Sequence, residues 1–409
     1  MMYTIALYFY MFAVILASLF HKKARLMVKG HWNTFRILRE RIRPGEKYVW
    51  FHAASLGEFE QGRPLIERLR REHPEYKILL TFFSPSGYEV RKNYTGADVV
   101  CYLPFDTPGN VHSFLRLARP CMAFFIKYEF WQNYLKACRH RGIPVYSVSS
   151  IFRPDQVFFR WYGRSYARVL NNITYFFVQN ETSRRLLEEK GLKNVAIVGD
   201  TRFDRVLDIC HQAKRLPLIQ QFKGEHTVFV AGSSWPPDED LIIPYFNRHP
   251  ELKLIMAPHV IGENHLCEIE SKLQRPSLRY SEATPENISQ ADCLIIDCFG
   301  LLSSIYRYGE IAYVGGGFGA GIHNVPEAAV YGVPVLIGPN NKDFREAQDL
   351  LKCEGCFEVT DAASFTTIVD KLLADEAFRK QHGAVGRKYI EQNAGAVDAV
   401  FRSIDFRAI

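Results

Sequence analysis

Phe51-His52-Ala53-Ala54-Ser55-Leu56-Gly57-Glu58 brings a histidine, a serine and a carboxylate together where an apolar run gives way to a helical pattern. A carboxylate at a helix start can take a proton from a hydroxyl group, and general-base assistance of that kind is typically worth ~10²–10⁴ in rate. Gly57 allows close backbone approach at the same helix end, with His52 at its edge. The spacing Ser55-x-x-Glu58 is equally a capping box, in which both side chains serve only the helix's own amides. A second acid, Glu129, ends the apolar run that starts at Cys121. Lys127 is its simplest partner, since residues two apart in a strand share a face. Core support and active-site duty both fit Glu129.

Further along, Val314-Gly315-Gly316-Gly317-Phe318-Gly319-Ala320-Gly321-Ile322-His323-Asn324 is the densest glycine stretch. It fits neither GxGxxG nor a Walker A loop, so dinucleotide oxidoreduction and P-loop hydrolysis lose support. Leading into Asn324-Val325-Pro326-Glu327, it offers backbone amides and a helix start suited to a phosphate, or simply an N-cap. Asp238-Glu239-Asp240 resembles a metal pair but follows Ser234-Trp235-Pro236-Pro237, where acids stabilise a helix start. Residues 151–168 interleave Arg153, Arg160, Arg164 and Arg168 with aromatic side chains. In a helix, Arg160, Arg164 and Arg168 would share one face, suited to anionic headgroups.

Loops of this kind need strands behind them. Runs rich in β-branched and aromatic residues at 48–55, 77–84, 99–104, 121–127, 144–150, 174–179 and 195–200 alternate with helical patterns. The rhythm restarts at 226–232, 252–257, 293–297, 311–315 and 334–338. This is an α/β pattern, and near-continuous apolar strands mark parallel sheets covered on both faces. Two doubly wound, Rossmann-like domains follow, 44–214 and 226–409, the second with terminal helices; residues 215–225, with Pro217 and Gly224, form the linker. Ligands bind beyond the carboxyl ends of such strands, so two facing domains are expected to create an interdomain cleft.

The chain has 409 residues, 47% of them apolar, and a net charge of +7. Eight Lys or Arg against one acid lie between His21 and Arg43, which leaves the rest neutral. A nucleic-acid binder would spread positive charge over its folded face. Here the charge follows an eighteen-residue apolar run at 3–20, near the lower limit for a spanning helix. Residues 1–20 are therefore expected to be a membrane anchor helix and 21–43 a basic juxtamembrane segment, which leaves the body cytoplasmic; the other expectation is a helix lying in the membrane surface. Nine scattered cysteines suit a reducing compartment, and Cys353 and Cys356 alone make a weak zinc motif.

Taken in order, HAASLGE at 52–58, Glu129-Phe130-Trp131-Gln132-Asn133, Gly199-Asp200-Thr201-Arg202-Phe203-Asp204, Ala231-Gly232-Ser233-Ser234, and HNxxEAA at 323–329 with Gly332 and Gly338-Pro339 resemble the 3-deoxy-D-manno-octulosonic acid (Kdo) transferases of lipopolysaccharide synthesis. The resemblance implies a GT-B fold and an inverting transfer of Kdo from CMP-Kdo to an anionic lipid A precursor at the cytoplasmic face of the inner membrane. It needs no metal or cofactor and involves no nucleic acid. By the same resemblance Glu58 is the general base and Glu129 a second functional acid, with His52, Ser55, Gly57, Arg160 and Arg164 on the acceptor side. CMP-Kdo is assigned to Ser233, Ser234, Pro258, His259, Gly300, Gly315, Gly316, Gly317, His323, Asn324 and Glu327, the last as ribose-hydroxyl acceptor. Many members have an arginine between the residues matching Pro258 and His259; Arg202 is the expected substitute. Another lipid-directed GT-B enzyme using a UDP-sugar would share this frame. A membrane-tethered glycan-binding scaffold would use the acids only as caps.

Overall fold

A computed structural model describes residues 2–406. The chain divides into two units: residues up to Arg205 together with the segment from Ala394 onward, and Val206–Asn393 between them. The division falls within the helix Thr201–His211.

The first unit holds β1 (Tyr48–Ala53), β2 (Lys77–Phe82), β3 (Val99–Tyr102), β4 (Pro120–Ile126), β5 (Val145–Ser150), β6 (Tyr175–Val178) and β7 (Val195–Ile197). All pairs are parallel, in the order β3-β2-β1-β4-β5-β6-β7. Every residue of β1 is buried. Tyr48 and Trp50 enter one core layer while Val49 and Phe51 enter the other, as period-2 side chains must when helices cover both faces. The chain reverses its direction of winding between β1 and β4, which makes their carboxyl ends the switch point where such sheets bind ligands.

No helix among the described residues is long and apolar enough to cross a membrane. This corrects the anchor expected over 1–20. The first helix, α1 (Met2–Ala17), has 16 residues and reaches about 24 Å, against ~30 Å of bilayer hydrocarbon. A turn at Ser18–Phe20 then opens α2 (Lys22–Arg41). Along α1, Tyr3, Thr4, Leu7, Met11, Val14 and Ile15 face the protein, while Ile5, Phe9, Phe12, Leu16, Leu19 and Phe20 are exposed. The basic segment is not a loose tether. Met27, Val28, His31, Thr34 and Leu38 of α2 are buried at helical spacing, and the Thr34 hydroxyl donates to the Tyr102 carbonyl at 2.8 Å. Lys22, Lys23, Arg25, Lys29, Arg36 and Arg39 line the exposed face.

Residues 394–406 were expected in the second domain but pack into the first unit. Val397, Val400, Phe401, Ile404 and Phe406 join the core layer of Val49 and Phe51. The Tyr76 hydroxyl donates to the Phe406 carbonyl at 2.6 Å, and Asp204 accepts the amides of Gly395 and Ala396 at 3.0 and 3.1 Å.

The second unit holds β8 (Thr227–Ser234), β9 (Leu252–Pro258), β10 (Ser277–Arg279), β11 (Cys293–Ile295), β12 (Ile311–Val314), β13 (Val335–Ile337) and β14 (Cys356–Glu358), parallel in the order β10-β11-β9-β8-β12-β13-β14. Its direction reverses between β8 and β12. Residues 215–225 are not a free linker: Pro217–Lys223 is a helix with Ile219 and Phe222 buried, and the Leu216 amide donates to the Tyr308 hydroxyl at 2.8 Å. Buried apolar side chains inside the stretch outweigh its Pro and Gly.

Candidate active site

In the first unit, β1 and its neighbour β4 deliver the two acids to the carboxyl end of the sheet. Ser55 stands at the N-cap of α3 (Leu56–Glu72), yet its side chain accepts no amide. Its hydroxyl donates to the Glu58 carboxylate instead. The capping box is therefore not formed, and the serine holds the acid in place. Beside it, Tyr128 lies within electrostatic reach of Asp200, Glu58, Arg153 and Arg202; burial is the main cause of its raised phenol pKa.

Glu129 does not pair with Lys127. Lys127 has φ 65°, so the chain leaves the strand geometry there and the shared face is lost. Its partners are His52, whose Nε2 is 3.1 Å from Glu129 Oε2, and Trp131, whose indole N–H donates to the same oxygen at 2.6 Å. Trp50 can only donate, and its Nε1 is 2.8 Å from Thr81 Oγ1. Thr81 Oγ1 lies 2.9 Å from His52 Nδ1 and donates to the Phe51 carbonyl at 3.3 Å, and the Trp131 indole also donates to His52 Nε2 at 3.1 Å. Trp50, Thr81 and His52 are buried and Glu129 is 14% exposed, so a rigid polar chain ends at one accessible acid.

Asp200 is buried, accepts Gln61 Nε2 at 3.2 Å, and binds Arg202 through Nε at 2.9 Å and Nη2 at 2.8 Å. Arg202 thus belongs to the first unit, whereas the other residues assigned to the donor belong to the second. Arg160 and Arg164 do not share a helix face. Short 3₁₀ turns at Val157–Phe159 and Trp161–Gly163 precede the turn Arg164–Ala167, and Arg160 is extended between them. A Cβ at Gly163 would meet the Val157 carbonyl at 1.6 Å, which shows how tightly this segment folds back. Both arginines and the neighbouring Trp161 and Tyr162 are exposed.

The second unit repeats the placement at its own switch point. Ser233 has φ 53° at a bulge in β8 between Gly232 and Ser234, a conformation characteristic of functional sites. A Cβ at Gly315 would meet the Ser233 carbonyl at 2.2 Å, so only glycine fits beside the bulge. Ser234 is buried; its hydroxyl donates to Glu239 Oε1 at 2.9 Å, and His265 Nε2 is 2.9 Å from Glu239 Oε2. Trp235, His259 and His323 stack: the Trp235 and His259 rings lie 4.7 Å apart and those of His259 and His323 4.4 Å. The Trp235 indole donates to His323 Nε2 at 3.0 Å. Burial, then the neighbouring His259, lowers the pKa of His323.

Several glycine-loop amides are already engaged. Gly316 N–H donates to Asp238 Oδ2 at 2.9 Å, while those of Gly315, Gly319, Gly321 and His323 bond to carbonyls of the loop and of Gly232. The loop is rigid rather than open, and Gly317 lies against the backbone of Gly338. Asn324 Nδ2 donates to Glu327 Oε1 at 2.7 Å, so the pair is a side-chain contact and the helix Pro326–Ala329 has Val325 at its N-cap. Pro258 pairs with Ser234 at the end of β9, and Gly300 follows β11 with φ 89°. The acidic triplet splits three ways: Asp238 also accepts the Trp235 amide and the Tyr313 hydroxyl, Glu239 holds Ser234, and Asp240 pairs with Lys272. No group of three His, Cys, Asp or Glu suited to a metal occurs among the described residues.

Residues 30–205 match the family model described as 3-deoxy-D-manno-octulosonic-acid transferase (kdotransferase). The 3-deoxy-D-manno-octulosonic acid transferase of Aquifex aeolicus is 28% identical over 343 residues, covering 82% of this chain and 89% of that protein. The transferase of the same name from Haemophilus influenzae is 25% identical, covering 87% and 86%. Over most of its length this chain is similar to the Kdo transferases. Among solved structures, the UDP-GlcNAc 2-epimerase of Neisseria meningitidis matches with a TM-score of 0.60 at 14% identity, over 87% of this chain and 99% of that one. The glycotransferase of kitacinnamycin matches with a TM-score of 0.53 at 15% identity, over 88% and 100%. These likenesses show the fold alone, two parallel-sheet units of the GT-B kind. The family match spans Glu58, Glu129 and Arg202.

Sequence reasoning missed Thr81 and Asp106, and it quoted Trp131, Trp235 and Glu239 without giving them a role at the site. Thr81 and Asp106 act through partners 27 or more residues away, His52 for the first and Tyr3, Asn133 and Tyr134 for the second, which no local pattern reveals. Asp106 is fully buried, accepts the amides of Asn133 and Tyr134 at 2.9 and 2.8 Å, and has its carboxyl pushed up to about 7 by burial.

Proposed function

We propose that this chain transfers Kdo from CMP-Kdo to a phosphorylated lipid A precursor, with inversion at the anomeric carbon. Glu58 takes the proton of the acceptor hydroxyl as that oxygen bonds to the anomeric carbon. The bond from that carbon to the phosphate oxygen breaks, and its electron pair leaves with CMP. The observation that carries this reading is the place of Glu58 at the switch point of the first sheet, with its carboxylate held by Ser55 and not spent on a cap. Glu129, held by His52 and Trp131, positions a sugar hydroxyl.

In the second unit, Ser233, Ser234, Pro258, His259, Gly300, Gly315, Gly316, Gly317, His323, Asn324 and Glu327 receive CMP. The stacked imidazoles meet the departing phosphate, where fixed donors stabilise developing charge. Because several glycine amides are engaged, the side chains carry more of that contact than the loop backbone. Arg202 offers its guanidinium to an anionic group on the first unit.

The body rests on the cytoplasmic face of the inner membrane through α1 and α2. The outer face of α1 is apolar and that of α2 is basic, which suits a helix pair lying in an anionic membrane surface. Arg160 and Arg164 then lie among exposed aromatic side chains suited to acceptor phosphates.

The donor assignment is tested by offering the full-length protein CMP-Kdo or a panel of UDP-sugars with a detergent-dispersed lipid A precursor, and reading the product's anomeric configuration by NMR. Product from CMP-Kdo with inverted configuration is expected. Transfer from a UDP-sugar alone would overturn it.

A further inference from the structure

Asp106 joins two parts of the first unit that are far apart in sequence. Its Oδ2 accepts the Tyr3 hydroxyl at 2.8 Å and the Asn133 amide at 2.9 Å, and its Oδ1 accepts the Tyr134 amide at 2.8 Å. Those amides belong to the first turn of the helix Gln132–His140, whose own N-cap residue, Trp131, supplies no side-chain cap. A borrowed carboxylate therefore does for this helix what an N-cap side chain usually does. The Asp106 carbonyl also accepts Asn133 Nδ2. Immediately before that turn stand Trp131 and Glu129, joined by the 2.6 Å indole bond. The start of the helix thus sets where this acid sits.

A second line reaches the same segment. The Tyr3 ring stacks on Tyr166 at 5.9 Å, and the Tyr166 hydroxyl donates to the Phe130 carbonyl at 3.3 Å. Both lines start at one residue in the first turn of α1. Burial and the adjacent Asp106 keep the Tyr3 phenol protonated, so it remains a donor. Tyr3 and Thr4 are the hydroxyl-bearing residues on the protein-facing side of that turn, and Thr4 Oγ1 lies 3.5 Å from Asn133 Nδ2.

We propose that Tyr3 and Asp106 are a positioning pair for Glu129, through which the first turn of α1 forms part of the frame of the acceptor-side site. This rests on the reading of Glu129 as a sugar-positioning acid. The pair touches no substrate; it acts by fixing the start of the helix that Trp131 precedes. Misplacement of a positioned group by about an ångström can cost up to ~10² in rate, and loss of one hydroxyl from a two-line connection should cost less.

The test combines kinetics with hydrogen exchange on the full-length protein, using Tyr3→Phe, Asp106→Asn and the double variant. Tyr3→Phe keeps the ring stack and removes only the hydroxyl, so it should fold even if Asp106→Asn does not. Expected are a roughly tenfold fall in kcat for Tyr3→Phe, an unchanged KM for CMP-Kdo, and a double variant no worse than Asp106→Asn alone. Exchange of peptides spanning 129–136 should quicken in Tyr3→Phe, with the rest of the unit unchanged. A structural role alone would lower Tm and leave kcat of the folded enzyme intact. Unchanged exchange at 129–136, or quickened exchange with kcat within twofold of wild type, would overturn the pair. If the wild type itself transferred no Kdo, the functional reading would fail, and unchanged or quickened exchange would still decide whether Tyr3 holds this segment.

Discussion

Ser55 and Glu58 are spaced as a cap, yet the hydroxyl is turned to the carboxylate and not to an amide. Removing it should therefore affect chemistry more than folding. Ser55→Ala is expected to lower kcat/KM about tenfold, the order of one charge-assisted hydrogen bond, while Tm stays within about 1 °C because no cap bond is lost; a steady-state assay beside a thermal melt checks both. The candidate acids themselves were legible as residues that end apolar runs. Their partners were not. Lys127 was the local choice for Glu129, but a left-handed φ at Lys127 removed it, and His52, from the neighbouring strand, took its place. Spacing along a chain reveals such a pair only after the sheet order is known. The same holds for Glu239, which looked like one of three helix-start acids and instead links Ser234 to His265.

Helix α1 is apolar on both sides, which made it resemble a spanning segment until its length and its protein-facing stripe were seen. With that stripe occupied, the outer face needs a different cover, and exposed Phe9 and Phe12, 72% and 60% accessible, form its middle. Phe9→Asp with Phe12→Asp should abolish co-flotation with phosphatidylglycerol-containing vesicles while circular dichroism stays unchanged. Retained flotation would contradict the membrane reading of this face. At the other end of the chain, Asp204 accepts the amides that start the helix Ala396–Arg402, and burial pushes its carboxyl up from the ordinary 3.8 to about 6. The folded form thus holds this proton more tightly than the unfolded form, so the contribution of Asp204 to stability falls as pH rises from about 4 to about 6 and is level above that. In urea unfolding, the gap between wild type and Asp204→Asn should narrow or reverse sign over this window, moving against wild type as pH rises. A gap independent of pH would refute the link. The return of this terminal helix could not be read from its own pattern, because an apolar stripe at helical spacing does not say which sheet it will cover.

Both sheets were legible because strands buried on two faces are apolar almost throughout, and their alternation with helices leaves little choice but parallel order. The strands that escaped notice, β10 and β14, are three residues each and sit at sheet edges, where burial is partial and the apolar run too short to register. The boundary was misplaced for a related reason: Pro217 and Gly224 suggested a linker, but Ile219 and Phe222 drive the stretch into the core. At this scale each unit carries one candidate cluster at its switch point, acids in the first and stacked rings with serines in the second. Free CMP should accordingly slow hydrogen exchange in peptides covering 232–236, 257–260 and 315–327, all within the second unit. Protection of 52–58 in their place would reverse the assignment of the units. Whether Glu58 is the base of Kdo transfer is decided by comparing wild type with Glu58→Gln in transfer from CMP-Kdo to a detergent-dispersed lipid A precursor. The prediction is product from wild type and a rate lower by ~10²–10⁴ in the variant, with an unchanged melting curve and unchanged CMP binding. A Glu58→Gln rate within a few-fold of wild type would contradict it.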